Sequence, residues 1–257
     1  MDTVVVERND GIVTVTVSNP GKKNAATPQT WADLRDAFTE IGDRADDRVV
    51  VLTGAGGDFC SGADLSTGPG RHGSHPLRSM RTVNAACSAL FNLPQPTIAK
   101  VRGVAVGAGC NMALACDLVV ASESARFSEI FSRRGLSVDF GGSWLLPRRV
   151  GLHRAKELAL FGGIHGAREV EAMGLVNRVL PDGELDAFVD GWARTLAAGP
   201  PIALALTKRL LNNAGSLSLE QALDEEAAAQ SVNLVTRDVA EATSAFLEKR
   251  EPRFEGR

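Results

Sequence analysis

The sequence predicts one α/β fold built on buried parallel strands, and three observations carry that reading. First, Val49-Val50-Val51-Leu52, Thr97-Ile98-Ala99-Lys100-Val101 and Leu118-Val119-Val120-Ala121 are short, nearly unbroken apolar runs. Strands covered on both faces read this way. Second, the first two runs open through small residues onto a turn or helix: Thr53-Gly54-Ala55-Gly56-Gly57-Asp58 and Arg102-Gly103-Val104-Ala105-Val106-Gly107-Ala108-Gly109. Third, the order strand, helix, strand recurs with short links, which points to a repeated ββα unit rather than two unrelated domains. With 257 residues the chain suits one large domain with a helical appendage. The expected division is a core over 1–198 and a helical region over 199–257, acting as one functional unit.

The elements follow in order. Residues 4–6 and 12–17 alternate as two antiparallel strands around a hairpin turn at Asn9-Asp10-Gly11. Asn19-Pro20-Gly21 ends them and Lys22–Ala26 is a loop. Thr27 caps a helix with Pro28 at its first position, and Trp31, Leu34, Ala37, Phe38 and Ile41 give it an apolar face. After the strand at 49–52, residues 66–76 are the least structured stretch by composition and are expected to be a mobile loop near the site. A helix over about 77–92 follows, broken by Pro94 and Pro96 before the strand at 97–101. Residues to Cys116 complete a helix, and 118–121 is the next strand. From 151 onward the pattern is helical, over about 152–161, 167–173, 183–198, 201–213, 218–233 and 236–248, with a break at Gly199-Pro200-Pro201. The last helices carry apolar faces (Leu217, Leu219, Leu223; Val232, Leu234, Val235; Phe246, Leu247) that suit their own core or a neighbouring subunit.

Composition excludes several function classes. Apolar residues at 44% and charged residues at 23% are ordinary for a globular enzyme. The net charge of −3 leaves no basic footprint for nucleic acid. No signal-like N-terminus or membrane-length apolar run is present, so a cytoplasmic location is expected. Cys60, Cys87, Cys110 and Cys116 form no Cys-x-x-Cys pair and read as reduced thiols, not as a metal site. Neither glycine-rich turn has the P-loop ending or the dinucleotide spacing. The chain has no tyrosine, which removes every mechanism needing a tyrosine acid.

The two turns suggest a chemistry. Small residues let a ligand approach the backbone. The first N–H groups of a helix lack internal partners and favour negative charge. Two such groups converging on one point make an oxyanion hole. The bland alternative for either turn alone is glycine serving an ordinary loop.

Phe59-Cys60-Ser61-Gly62-Ala63-Asp64-Leu65 resembles the first oxyanion-hole motif of the crotonase, or enoyl-CoA hydratase/isomerase, superfamily, and Gly103–Asn111 resembles the second. Asn24-Ala25, Asp117–Ser122 and Ala245–Arg250 extend the resemblance over essentially the whole chain. It implies a spiral of ββα repeats followed by C-terminal helices that build homotrimers or dimers of trimers. It implies an acyl-CoA thioester as substrate, with coenzyme A as part of it and no other cofactor or metal. By position, the oxyanion donors are the backbone N–H groups of Ala63 and Ala108. Coenzyme A would lie along Ser61, Ala63, Asp64 and Leu65, with Lys22 and Ala25 close by and Phe246 and Lys249 approaching from the C-terminal helix. For both lysines, a solvated surface charge is the competing reading.

Family hydratases carry two glutamates, at the positions of Asn111 and Phe131 here. Asparagine cannot cycle a proton at neutral pH and phenylalanine has none to exchange, so the usual water-activating pair is missing. Leu136–Pro147 instead resembles two isomerase subgroups, the Δ3,Δ2-enoyl-CoA isomerases of peroxisomal type and the ring-epoxide isomerases of phenylacetate breakdown. Both place an acid at Asp139. Between Val138 and Phe140 such a carboxylate should have a raised pKa, which suits a base that must return its proton. The competing role for Asp139 is a helix cap ahead of Gly141-Gly142-Ser143. Glu129 is the other acid of this stretch: either a pocket acid in a shifted register or, as Arg126, Arg133 and Arg134 around it favour, a surface or ion-paired residue.

His72 and His75 fall in the loop at 66–76, His153 and His165 near helix starts, and the candidate nucleophiles Ser61 and Ser143 have no local histidine. A hydrolase of the related Clp protease type is therefore weakly supported. Within the resemblance, Met80, Val83, Cys87 and Phe91 either line an acyl pocket or serve as core. The expected activity is an enoyl-CoA isomerase with Asp139 as base and Asn111 orienting. A hydratase using Asp139 or Glu129, a silent acyl-CoA-binding scaffold, and a thioester hydrolase that would release free coenzyme A are the alternatives.

Overall fold

The structure, a computed structural model, describes residues 3–67 and 75–257. Most of the 66–76 loop, including His72, lies outside the described residues. His75 does not belong to a loop. It caps helix α2 (Pro76–Phe91), its Nδ1 accepting from the Leu77 N–H at 3.2 Å. Proline at the first helical position, where no N–H is needed, fixes the start one residue before the expected one.

The strands are β1 (Val4–Asn9), β2 (Ile12–Val17), β3 (Val49–Gly54), β4 (Thr97–Val101), β5 (Val104–Val106), β6 (Leu118–Ser122), β7 (Arg126–Ser128), β8 (His165–Gly166) and β9 (Arg178–Leu180). β1 and β2 form the expected hairpin, with Asp10 and Gly11 both at positive φ, 49° and 78°. That is the two-residue turn whose twist matches the strands. The main sheet runs β1-β2-β3-β4-β6-β9, parallel from β2 onward. A second sheet, β5-β7-β8, is continued by single bridges from Cys60 to Ala105 and from Ala26 to Ala63. Each repeat therefore gives one long strand to the first sheet and one short stretch to the second, then a helix. This is the ββα spiral. β8 and β9 were not expected from sequence: two and three residues are too short to show a period, and only register with β7 and β6 makes them strands.

The helices are α1 (Pro28–Gly42), α2, α3 (Ala108–Ala115), α4 (Gly142–Val150), α5 (Leu152–Phe161), α6 (Ala167–Ala172), α7 (Leu185–Ala197), α8 (Pro201–Asn213), α9 (Leu219–Asn233) and α10 (Arg237–Glu248). Thr27 caps α1 in a reciprocal box with Thr30. The central strands β3, β4 and β6 are buried on both faces. Val50 and Leu52 join the large core with α1, α2 and α3, while Val49, Val51, Ile98 and Val120 meet Leu185, Val189 and Ala193 of α7.

α8 to α10 behave differently. No residue of α8 is buried, and Leu211, Leu219, Leu234, Val235, Phe246 and Leu247 are all exposed. The C-terminal helices thus do not fold back over their own core. α8 is tied to the core by Lys208, whose Nζ lies 2.8 Å from Asp117 Oδ2 and donates to the Gln95 carbonyl at 3.0 Å. The same Asp117 oxygen accepts from the Thr97 N–H and hydroxyl. Removing one partner of a nearly buried pair leaves the other charge undersatisfied. Lys208→Met is expected to destabilise the protein by about 2–4 kcal/mol, read as a lower urea midpoint at unchanged slope. An unchanged midpoint would mean that α8 is held by apolar contact alone.

Candidate active site

The two glycine-rich turns are stitched together by backbone hydrogen bonds. The Phe59 and Cys60 N–H groups donate to the Val104 carbonyl, and the Val106 N–H returns to the Cys60 carbonyl at 3.0 Å. Asp58 Oδ1 accepts from the Val104 N–H at 2.9 Å. Closeness here demands glycine. A Cβ on Gly109 would sit 2.2 Å from the Cys60 carbonyl oxygen, and one on Gly62 (φ +92°) would sit 2.8 Å from that of Val106 and 3.7 Å from the Ala108 nitrogen. The Gly62–Ala63 peptide and the first turn of α3 therefore face each other across a narrow gap.

Two N–H groups are left over at that gap. The bridge to Ala26 uses the Gly62 carbonyl and the Asp64 N–H, so Ala63 points its own N–H away from the ladder. Ala108 opens α3, where an N–H has no partner inside the helix. Neither donates to a backbone acceptor among the described residues.

Of the residues expected to meet coenzyme A, those of the N-terminal half fall in one cluster. Lys22 Nζ lies 2.8 Å from Asp64 Oδ2 and 2.7 Å from Ser66 Oγ, and Ser61 Oγ donates to the Lys22 carbonyl at 2.9 Å. Lys22 holds the Asp64 carboxyl below the ordinary carboxylate range, with Ser66 adding to the effect. Lys22 is thus ion-paired, not a lone solvated charge. The Ala25 N–H also donates to the Lys22 carbonyl, and Leu65 is exposed beside it. Asn24, buried with φ +57°, secures this loop by donating to the carbonyls of Ala55 and Asp58. Phe246 and Lys249 stand apart on α10. Lys249 takes the left-handed position that ends the helix, and neither residue bonds to the cluster among the described residues.

Beyond the paired glycine turns lie the carboxylates. Asp139 is half-buried, its Oδ1 is shut off from solvent without a hydrogen-bond partner, and burial pushes its pKa up to about 6. It is not a helix cap. α4 starts from Gly141 with no side-chain cap, and only the Asp139 carbonyl engages, accepting from the Gly142 N–H. Its neighbour Phe140 takes φ +47°, unusual for a bulky residue, with its ring fully buried 5.3 Å from that of Trp31. The ring anchors the segment that carries Asp139.

Glu129 corrects the sequence reading. It is 2% exposed, with no ion pair among the described residues. Arg126 turns to the carbonyls of Glu123 and Ala125, and Arg133 to that of Phe161. Burial pushes the Glu129 carboxyl up to about 7, opposed by hydrogen bonds from Cys110 and Asn111. The arginines nearby in sequence hid it, because Phe127 and Ser128 of β7 and Glu129 just after it are buried consecutively and leave no alternation to read. Asn111 is fully buried on α3, one turn after Ala108, and donates to both Glu129 and the Asp139 carbonyl. Phe131 is also buried, its ring near Gly107 at the start of α3. On α2, Val83, Cys87 and Phe91 all pack on the main core, and Cys87 also faces Asp139 and Gly141. Ser61 spends its hydroxyl on a backbone carbonyl, and His165 pairs with Glu169 at 2.6 Å, so neither is arranged as part of a hydrolytic triad.

Comparison with known proteins agrees with this geometry. Residues 7–257 match the family described as enoyl-CoA hydratase/isomerase. A probable enoyl-CoA hydratase of Rhodobacter capsulatus is 37% identical over 99% of this chain and 98% of its own. The 1,2-epoxyphenylacetyl-CoA isomerase of Escherichia coli is 36% identical over the full length of both. The crystal structure of a putative enoyl-CoA hydratase from Streptomyces coelicolor superposes with a TM-score of 0.95 at 40% identity, covering 100% of this chain and 95% of that one. Spiral, converging glycine turns and end-to-end likeness lead to one conclusion: this chain belongs to the enoyl-CoA hydratase/isomerase family, in the crotonase superfamily.

Proposed function

We propose that this protein is an enoyl-CoA isomerase that moves a double bond through a thioester enolate. The observation that carries the reading is Asp139. It is a half-buried carboxylate with a raised pKa and an unpartnered oxygen, on a segment bonded to the helix that opens with Ala108. The thioester oxygen accepts hydrogen bonds from the N–H groups of Ala63 and Ala108. These stabilise the negative charge that develops when a proton leaves the α carbon. Asp139 takes that proton and becomes neutral, then delivers a proton to the γ carbon as the double bond settles between the α and β carbons. A carboxyl with a pKa near 6 both accepts and returns a proton without a large energetic penalty. Coenzyme A lies along Lys22, Ala25, Ser61, Asp64 and Leu65. The exposed apolar residues of the C-terminal helices support assembly into trimers, through which Phe246 and Lys249 reach a neighbour's coenzyme.

A second reading is a hydratase. It draws on the second buried carboxylate, Glu129, because two acid–base groups are what water addition needs. The test is proton NMR of 3-hexenoyl-CoA and 2-hexenoyl-CoA with the enzyme in deuterated buffer. Migration of the 3-double bond with deuterium uptake and little 3-hydroxy product supports the isomerase. Rapid formation of 3-hydroxyacyl-CoA from the 2-enoyl substrate replaces it with the hydratase. Binding with neither reaction would mark a silent scaffold.

A further inference from the structure

Glu129 has no role in the proton transfer described above, yet it is the most buried carboxylate near it. One amide links it to Asp139. Asn111 Nδ2 donates to Glu129 Oε2 at 3.3 Å and to the Asp139 carbonyl at 2.9 Å. Its orientation is set by these two acceptors, since the swapped amide would turn Oδ1 against both. Asn111 is fully buried and tightly boxed in: a Cβ on Gly142 would lie 2.3 Å from Nδ2. Three buried oxygens here have no hydrogen-bond partner, Asn111 Oδ1, Glu129 Oε1 and Asp139 Oδ1.

We propose that Glu129 is a positioning residue that holds the Asp139 segment in place through Asn111, and that it does so only while ionised. An ionised Glu129 can only accept, so it fixes the Asn111 amide with Nδ2 toward both acceptors. A protonated Glu129 becomes a donor, and the acceptor left over beside it is Asn111 Oδ1. Turning the amide to meet that proton takes the N–H away from the Asp139 carbonyl and frees the segment. The titratable groups coupled to Glu129 are the Cys110 thiol and Asp139. Burial and the neighbouring Glu129 raise the Cys110 pKa well above its usual value, so Cys110 stays neutral through this change. His165, across from the β7 strand, is engaged with Glu169. Burial places the Glu129 transition near pH 7.

The inference rests on the isomerase reading, and the test separates the two. In 15N-labelled full-length protein, the Asn111 side-chain amide signals are assigned by their loss in Asn111→Asp and followed from about pH 5 to pH 9, a range spanning the usual histidine and raised carboxylate values. Wild type should show them titrating with a midpoint near that of Glu129, and Glu129→Gln should abolish the titration. In α-proton exchange into deuterated water, the wild-type acid limb should steepen toward two protons, one each from Asp139 and Glu129. Glu129→Gln, the neutral donor-bearing mimic of the protonated acid, should hold the Asn111 amide in its turned state at every pH and show a one-proton limb with a high-pH rate about 10–100-fold below wild type. Glu129→Leu should lose about 10–100-fold, the range expected for a lost charged hydrogen bond. Asn111 signals that stay fixed across the pH range in folded wild type overturn the proposal. So does Glu129→Leu with the wild-type rate and profile. A wild type without exchange whose Asn111 signals still titrate removes the isomerase reading and supports the Glu129–Asn111 coupling.

Discussion

Asp139→Asn is expected to lower isomerisation of a 3-enoyl-CoA by roughly 10²–10⁴-fold, the usual contribution of a positioned acid–base group. Thioester binding should change by no more than a few-fold. The substitution keeps shape and volume and removes only the ability to hold a proton. The backbone carbonyl that ties Asp139 to Asn111 and Gly142 is untouched, so the segment should stay in place. Initial rates followed by NMR, beside calorimetric binding of a saturated acyl-CoA, make the comparison. Equal loss of binding would assign Asp139 to the fold, and undiminished turnover would move the base elsewhere, with Glu129 next in line. The pH dependence has a definite sign. Asp139 must be ionised to accept the α proton, and its pKa lies near 6. The wild-type rate should therefore fall as pH drops through that value, and Asp139→Asn should show no such fall in its residual rate.

Gly109→Ala is expected to damage stability and catalysis together. The added methyl would meet the Cys60 carbonyl carbon and oxygen, which are backbone atoms in a buried bridge and cannot rotate aside. Overpacking of this kind costs about 3 kcal/mol or more. Any relief must push the start of α3 away from the Gly62–Ala63 peptide, which misplaces one of the two N–H donors. Loss of one such donor lowers turnover by about 10²–10³-fold. Gly183→Ala is the matching control, since nothing lies within 4 Å of a Cβ there. Thermal unfolding and turnover of the two variants side by side check both halves. A Gly109→Ala protein of normal stability and activity would show that the two turns are less tightly joined than their hydrogen bonds indicate.

Much of this arrangement was legible in the sequence, for physical reasons that can be stated. β3, β4 and β6 are buried on both faces, so each reads as an unbroken apolar run. The glycines at 62, 107 and 109 had to be glycine, because the backbones approach too closely or bend too sharply for a side chain. Asp139 stood out through the resemblance of Leu136–Pro147 to isomerases, with which its apolar neighbours agree. What stayed hidden depends on distant register. Nothing within Arg178-Val179-Leu180 marks it as the edge of a six-stranded sheet until it meets Val120-Ala121-Ser122. Glu129 was misread because three arginines adjoin it in the chain, while in the fold Arg126 and Arg133 turn to backbone carbonyls and Glu129 turns inward. His75 passed for loop because a histidine cap leaves no compositional trace.

The position of β9 bears on how the chain is made. The main sheet takes its strands in order from the N-terminal hairpin, and its far edge is supplied only at Arg178–Leu180. The cover for its second face, α7, follows at Leu185–Ala197. On a ribosome, where synthesis proceeds at about 5–20 residues per second, the strands through β6 emerge many seconds before that cover. During that interval Val49, Val51, Ile98 and Val120 present an open apolar face, and β6 an unpaired edge. The nascent chain is then most exposed to aggregation, and slowing translation just ahead of α7 should lower its soluble yield more than slowing it after Ala197.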